Sequence, residues 1–364
     1  MENKNTKNDR VTGRFAPSPT GRMHAGNVLA ALLSWASARS RGGRWILRIE
    51  DLDTGRSRHE HALQIQDDLC WLGLDWDEGG TADLGAHGPY SQSKRGEIYR
   101  RYLDRLHATG LTYPCSCRRA DIMATQAPHQ SDGRIVYAGT CRPAGAPPYN
   151  LRKEDFDGKA VRIYVPDSEI TFTDGICGPQ CVNLSRECGD FVLRRADGAF
   201  AYQLAVVVDD ALMGVTEVVR GNDLLLSAAQ QIYLYRLLGF EPPRFVHIPL
   251  LCNSAGVRLS KRDGALGMES LRRRYTAPEL IGALAYAAGL TDSRRPMTAT
   301  ELAKIYGDVM SVSSRSGAGA VLAQQPEIAQ QGQNGLQGGT VAGIIGKSHI
   351  NIEPVLPLAP DDGH

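Results

Sequence analysis

The stretch from Gly13 to Ser40 limits the possible folds of this chain more than any other. It runs Arg14-Phe-Ala-Pro-Ser-Pro-Thr-Gly21, then His24-Ala-Gly-Asn27, and passes at once into an Ala/Leu-rich run that reaches Ser40. Pro17, Pro19 and Gly21 punctuate the first part, and Asn27 to Ser40 carries helical spacing, so the pattern predicts strand, loop, helix. A helix N-terminus offers unpaired amide donors and the positive end of a dipole, which suits a phosphate. Gly26 lets backbone approach such a ligand closely, and His24 is a candidate donor to it. A second apolar run, Trp45 to Ile49, reads as a strand and ends in Glu50, Asp51 and Asp53. In open α/β sheets that carboxyl edge is where ligands bind.

The remaining rhythm fits the same class. Ile65 to Leu72 and Glu97 to His107 carry helical spacing, whereas Tyr113 to Pro148 breaks it with cysteines, glycines and prolines and reads as an insertion. Val161 to Val165, Phe191 to Leu193, Val215 to Arg220 and Phe245 to Leu251 predict strands, and Ala201 to Val208 a buried strand or helix. Leu224 to Leu238, Pro278 to Ala288 and Ala299 to Tyr306 predict helices. Alternation of this kind favours an α/β fold with a mainly parallel sheet. From Ser311 to His364 the chain is rich in Gly, Gln, Ala and Ser without one aromatic residue, and is expected to be disordered or loosely attached, although Val341 to Ile345 could dock.

Composition narrows the class. The 364 residues are 42% hydrophobic and 22% charged, and no run of about 18 apolar residues occurs, so no membrane partner is expected. The polar start, Met1 to Arg10, does not resemble a secretory signal, which leaves a cytoplasmic location as the expectation. A net charge of +1 cannot hold nucleic acid by overall field. Such contacts would need local patches: Arg39, Arg41 and Arg44; Arg118 and Arg119; or Arg272, Arg273 and Arg274. Each of these also reads as an ordinary solvated face.

Arg258-Leu259-Ser260-Lys261-Arg262 follows the last predicted strand. Alone it is an exposed basic loop, but Lys261 could also meet negative charge building on a triphosphate. Together with the His24-Ala-Gly-Asn27 string, it resembles the paired signatures of class I aminoacyl-tRNA synthetases, where His-Ile-Gly-His is the usual form of the first. Arg14-Phe-Ala-Pro-Ser-Pro-Thr-Gly21 and Arg48-Ile-Glu-Asp-Leu-Asp53 look like the glutamyl branch, and the likeness runs from about Gly13 to Leu266. It implies a Rossmann-like parallel-sheet catalytic domain in two halves, 13–110 and 201–266, split by a zinc-containing insertion at 111–200. A flexible start at 1–12, a short helical segment at 267–310 and a low-complexity tail at 311–364 complete the expected organisation.

The resemblance also implies roles. His24, Gly26, Asn27, Leu259, Ser260 and Lys261 would hold ATP, which arrives with Mg²⁺, and His24 and Lys261 would be catalytic. Arg14, Ser18, Glu50, Tyr202 and Arg220 would bind L-glutamate, the arginines facing carboxylate and Glu50 the ammonium. Read singly, Arg220 could pair with Glu217 or Asp223, Tyr202 could be core, and Glu50 could cap a turn.

Cys115-Ser-Cys117 offers two thiols, and structural zinc takes four ligands. In the glutamyl-Q branch the insertion carries Cys-x-Cys and then Tyr-x-x-x-Cys, which Cys115, Cys117, Tyr137 and Cys141 match; His129 could compete as the fourth ligand. Cys177, Cys181 and Cys188 read as plain thiols. The short chain, without a large helical anticodon-binding region, also fits the glutamyl-Q branch. Its acceptor would be queuosine in the anticodon loop of tRNA(Asp), and a monomer is expected. The alternatives are a shortened glutamyl-tRNA synthetase charging tRNA(Glu), and a relative that holds tRNA or a nucleotide without turnover.

Overall fold

A computed structural model describes residues 10–118, 136–253, 266–315 and 348–356. The parallel framework is built from β1 (Thr12–Phe15), β2 (Arg44–Leu47) and β3 (Glu78–Gly79) in the order β1-β2-β3. A parallel pair of β9 (Glu217–Gly221) and β10 (Arg244–Ile248) lies next to β1, where the Thr216 amide donates to the Thr12 carbonyl at 2.9 Å. All four residues of β1 are buried, as strands covered on both faces require. The helix predicted after the first loop is α1 (Ala25–Arg39); it packs against β1 and β9 and is buried around most of its girth. α2 (His59–Trp71) follows β2. α3 (Gly96–Ala108) buries Tyr99, Leu103 and Leu106, a single helical stripe.

Between these halves lies an antiparallel sheet of β4 (Thr112–Cys115), β5 (Ala160–Ile163) and β8 (Phe191–Arg194), together with a hairpin of β6 (Glu169–Asp174) and β7 (Gly178–Asn183). The continuous apolar run after Ala201 is a helix, α4 (Tyr202–Leu212), with Leu204 to Asp210 all buried. Such a run has no periodicity to separate strand from helix, which is why its sequence left both open. α5 (Leu225–Leu238) ends at Gly239, whose φ of 72° is the left-handed cap that glycine adopts without strain. β11 (Leu250–Cys252), α6 (Met268–Arg274), α7 (Ala277–Ala287) and α8 (Ala299–Arg315) complete this region. No described helix is long and apolar enough to cross a membrane.

Beyond Ser311 the structure differs from expectation in two places. α8 continues to Arg315, and residues 348–356 return to the body, where β12 (His349–Asn351) pairs in parallel with β11. Ile350, Ile352, Val355 and Leu356 join the core that holds α1 and β1. Compositional bias over the whole tail hid four aliphatic residues spaced closely enough to bury together. The Val341–Ile345 patch and the polar start at 1–9 lie outside the described residues. The basic cluster near the end of α1 is also spent within the fold: Arg39 pairs with Asp75 and Asp77, Arg41 with Glu217 and Arg44 with Glu78.

Candidate active site

A cavity of about 420 Å³ opens at the carboxyl ends of β1, β2 and β9, between the loop after β1 and the start of α1. Its walls carry Arg14, Ser18, His24, Gly26, Asn27, Glu50, Tyr202 and Arg220, so every described residue assigned to glutamate or ATP in the sequence faces one space. Leu259, Ser260 and Lys261 lie outside the described residues. Leu251 lines the cavity, Gly267 forms a β-bridge with His24, and the Met268 amide donates to the Met23 carbonyl at 2.9 Å.

His24 is the N-cap of α1. Its Nδ1 accepts from the Gly26 amide at 3.1 Å, and the Asn27 side chain accepts from the His24 amide at 3.2 Å, closing a capping box. With Nδ1 accepting, the ring proton sits on Nε2, which makes the imidazole a donor. The glycine matters here: a Cβ on Gly26 would stand 3.0 Å from His24 Cε1 and 3.2 Å from its Nδ1, forcing the ring to move. Asn27, in place of a second histidine, is therefore a capping residue.

A charge network lies beneath the loop. Arg48 is fully buried and donates to Asp210 at 2.5 Å and to Glu50 at 3.1 Å, with Asp209 at 3.7 Å from its Nε. Arg95, Gln92 and Tyr99 complete the partners of Asp209, at 2.6, 2.8 and 2.8 Å. Arg14 lies 3.5 Å from Asp210 through an Nε that makes no hydrogen bond. Burial pushes Glu50 up, and Arg48 and Arg14 only partly offset it, so its carboxyl sits above the usual range. Burial also pushes Asp210 up, but Arg48 and Arg14 outweigh that, and its carboxyl is held below the usual range. Glu50 is thus a carboxylate short of cations at the rim, where its side chain is 10% exposed. An arriving ammonium would supply the missing charge.

Arg220 has the opposite need. It is buried on β9, and its donors go to neutral acceptors: His247 Nε2 at 3.0 Å, Gln231 Oε1 at 2.9 Å, the Leu224 carbonyl at 3.2 Å and Tyr202 Oη at 3.4 Å. Among the described residues no carboxylate lies within 4 Å of the guanidinium. Glu217, a conceivable partner by sequence, is taken by Arg41 and Arg244. Burial lowers the Arg220 pKa, with Tyr202 pulling the other way, as expected of a cation lacking an anion.

The second cluster lies in the insertion. The thiol sulfurs of Cys115, Cys117 and Cys141 all lie within 4.8 Å of one another, with Cys117 and Cys141 3.4 Å apart. The Tyr137 hydroxyl is 3.4 Å from the Cys115 sulfur and 3.6 Å from that of Cys117, so the tyrosine converges on the same point. Three thiols and a phenol oxygen form a donor set that suits a four-coordinate zinc. Cys141 is lowered to about 7: burial opposes this, but the Ser116 amide and the neighbouring donors outweigh it, so a thiolate is available at neutral pH. His129 lies outside the described residues. Cys177 instead points its thiol at the His247 carbonyl, 3.7 Å away, and Cys181 is exposed.

The family of class I tRNA synthetases for E and Q, catalytic domain, matches residues 10–315. The chain is 52% identical over 302 residues to a glutamyl-Q tRNA(Asp) synthetase of Symbiobacterium thermophilum, covering 81% of this chain and 92% of that one. It belongs to the glutamyl-Q tRNA(Asp) synthetase family. A Deinococcus radiodurans member is 45% identical over 311 residues, with 83% and 98% covered. As a glutamyl-Q-type ligase, the chain also shares its fold with a glutamate-tRNA synthetase from Elizabethkingia anophelis, at a TM-score of 0.70 and 28% identity over 82% of this chain and 66% of the other. A glutamate tRNA ligase of Elizabethkingia meningosepticum, solved with its amino acid, gives 0.68 and 29%, over the same shares of the two chains.

Sequence reasoning missed Asp210, His247, Asp174 and Gln231 as parts of the site, and used Arg48 only as a motif letter. One signal was present: His247 stands inside the apolar strand run Phe245 to Leu251, where a polar ring needs a partner.

Proposed function

We propose that this enzyme activates L-glutamate with ATP and transfers it to the queuosine base in the anticodon loop of tRNA(Asp). The observation that carries the reading is the unspent charge in the cavity: a buried Arg220 served only by neutral acceptors, opposite a Glu50 carboxyl raised by burial. A zwitterion with a second carboxylate satisfies both at once, and burying either charge unpaired is costly. Arg14 and Arg220 face carboxylate, Glu50 the ammonium, and Tyr202 and Ser18 contribute hydroxyls. The glutamate α-carboxylate attacks the ATP α-phosphorus; a P–O bond forms, the bond to the bridging oxygen breaks, and pyrophosphate leaves. The His24 donor and the dipole of α1 meet the phosphates, with Gly26 and Asn27 shaping the turn. In this reading Leu259, Ser260 and Lys261 also serve ATP, a role supported by the resemblance of the Arg258–Arg262 string to the class signature. Mg²⁺ bound with ATP supplies charge neutralisation.

In the second step a hydroxyl of the queuosine cyclopentenediol attacks the activated carbonyl and AMP leaves. The acceptor follows from what the relatives are named for; a tRNA substrate fits a cytoplasmic location, and the reading takes the enzyme to act as a monomer. Zinc held by Cys115, Cys117, Cys141 and Tyr137 would stiffen the insertion. The test is glutamate transfer, with ATP and Mg²⁺, to tRNA(Asp) with and without queuosine, and to tRNA(Glu). Labelling confined to queuosine-containing tRNA(Asp) is expected; labelling of tRNA(Glu) would make the protein a shortened glutamyl-tRNA synthetase.

A further inference from the structure

Arg220 is aimed from behind. His247 is its direct cross-strand neighbour in the β9–β10 register, and the His247 ring accepts from Arg220 Nε–H through Nε2 at 3.0 Å. The other nitrogen, Nδ1, lies 2.7 Å from Asp174 Oδ2. Because Nε2 must be an acceptor, the ring proton is on Nδ1 and is donated to Asp174. Asp174 is itself fixed: its carboxylate accepts from the amides of Ile176, Cys177 and His247 at 3.0, 2.9 and 3.1 Å. All three side chains are buried, at 2% exposure for Asp174, 0% for His247 and 5% for Arg220. The Phe245 ring stacks beside His247, and the Arg220 guanidinium lies 5.1 Å from its centre.

An imidazole between a carboxylate and a guanidinium does something a direct ion pair would not. A carboxylate bonded to Arg220 would neutralise it inside the cavity wall. The neutral ring instead fixes the Nε direction while leaving the positive charge unspent toward the cavity. We propose that Asp174 and His247 are positioning residues for the glutamate site, which orient Arg220 through a neutral imidazole so that its charge is kept for the substrate carboxylate. This rests on the glutamate-activating reading above. Among the described residues, the charged and titratable groups that contact His247 are Asp174 and Arg220 at the ring and the Cys177 thiol at its carbonyl. If the ring took a second proton, Nε2–H would face Arg220 Nε–H, donor against donor, and the aim would be lost. Burial and Arg220 hold the imidazole below its ordinary pKa, against Asp174, so this loss belongs to the acid side.

The test is glutamate-dependent exchange between pyrophosphate and ATP, with tRNA(Asp) present, on wild type, His247→Leu and His247→Gln. Glutamine can accept on its oxygen and donate from its amide nitrogen, so it can restore the bridge without titrating. His247→Leu should raise KM for glutamate about ten- to a hundredfold, the range of one charge-assisted hydrogen bond, with KM for ATP little changed. His247→Gln should return it near wild type, and should show a smaller rise in glutamate KM than wild type as pH falls below about 6.5, the part due to Glu50 being common to both. An unchanged glutamate KM in His247→Leu, or equal losses in both variants, would overturn the positioning role while leaving glutamate activation standing. Should His247→Leu not fold, the His247→Gln pH profile decides, and a profile like wild type overturns the proposal. Wild-type exchange that ignores glutamate would instead overturn the underlying reading.

Discussion

Ile352→Ala tests whether the chain beyond the low-complexity region is part of the enzyme. Ile352 is 0% exposed, and its amide donates to the Cys252 carbonyl at 3.0 Å, one step past the β11–β12 pairing. Removing a buried isoleucine to its Cβ costs about 2–5 kcal/mol, the upper end applying where neighbours cannot collapse into the space. At roughly 2–3 °C per kcal/mol for a chain of this size, the thermal midpoint should fall by roughly 4–15 °C. The effect should reach the cavity as well. Leu250 and Leu251 line it and are held by β12, and the Asn222 side chain donates to the Ser348 carbonyl at 2.8 Å. KM for glutamate or ATP should therefore rise with the loss of stability. The assay is thermal unfolding beside pyrophosphate exchange, with Leu356→Ala, also 0% exposed, as a second probe. If both variants melt within about 1 °C of wild type, residues 348–356 do not belong to the core.

Other outcomes follow from the site. Arg220→Met should raise glutamate KM at least about tenfold with a smaller effect on ATP, since a charge-assisted contact to the substrate carboxylate would be lost; equal KM values would remove it from the site. Lys261→Ala should suppress exchange at an unchanged thermal midpoint, and wild-type rates would refute its part in adenylate formation. Cys117→Ser should lower bound zinc, read by elemental analysis, and lower the thermal midpoint; a metal-free wild type would end that idea. His247 also predicts a pH effect on stability. Its folded pKa lies below the unfolded value of about 6.5, so the unfolded chain binds more protons, and stability falls as pH drops through that window. His247→Gln should reduce the fall in thermal midpoint as pH drops below about 6.5, with the remainder coming from other shifted groups such as His107, which burial also lowers; an unaltered slope would show that His247 is not buried as a neutral ring.

What the sequence made legible was whatever depends on short-range spacing. The strand, loop and helix around Arg14 to Asn27, the carboxylates after β2 and the thiol pair at Cys115 and Cys117 each lie within a few residues, and local rules suffice for them. The partners of those residues are long-range and were not legible. Asp210 reaches Arg48 across 162 positions, and Asp174 reaches His247 across 73. Nothing in the composition near either end marks the other. The same asymmetry explains why the sequence left the basic cluster near Arg39 open between a nucleic-acid patch and an ordinary face, since its neutralising carboxylates at Asp75, Asp77, Glu78 and Glu217 come from other elements. It also bears on where the function resides. The motif residues present groups to the cavity, but which of them carries unspent charge is decided by distant partners. Asp210 takes up much of the charge of Arg14 and Arg48, whereas the neutral ring of His247 leaves that of Arg220 available. A chain could keep every motif letter and still lose its carboxylate preference through a change at Asp174.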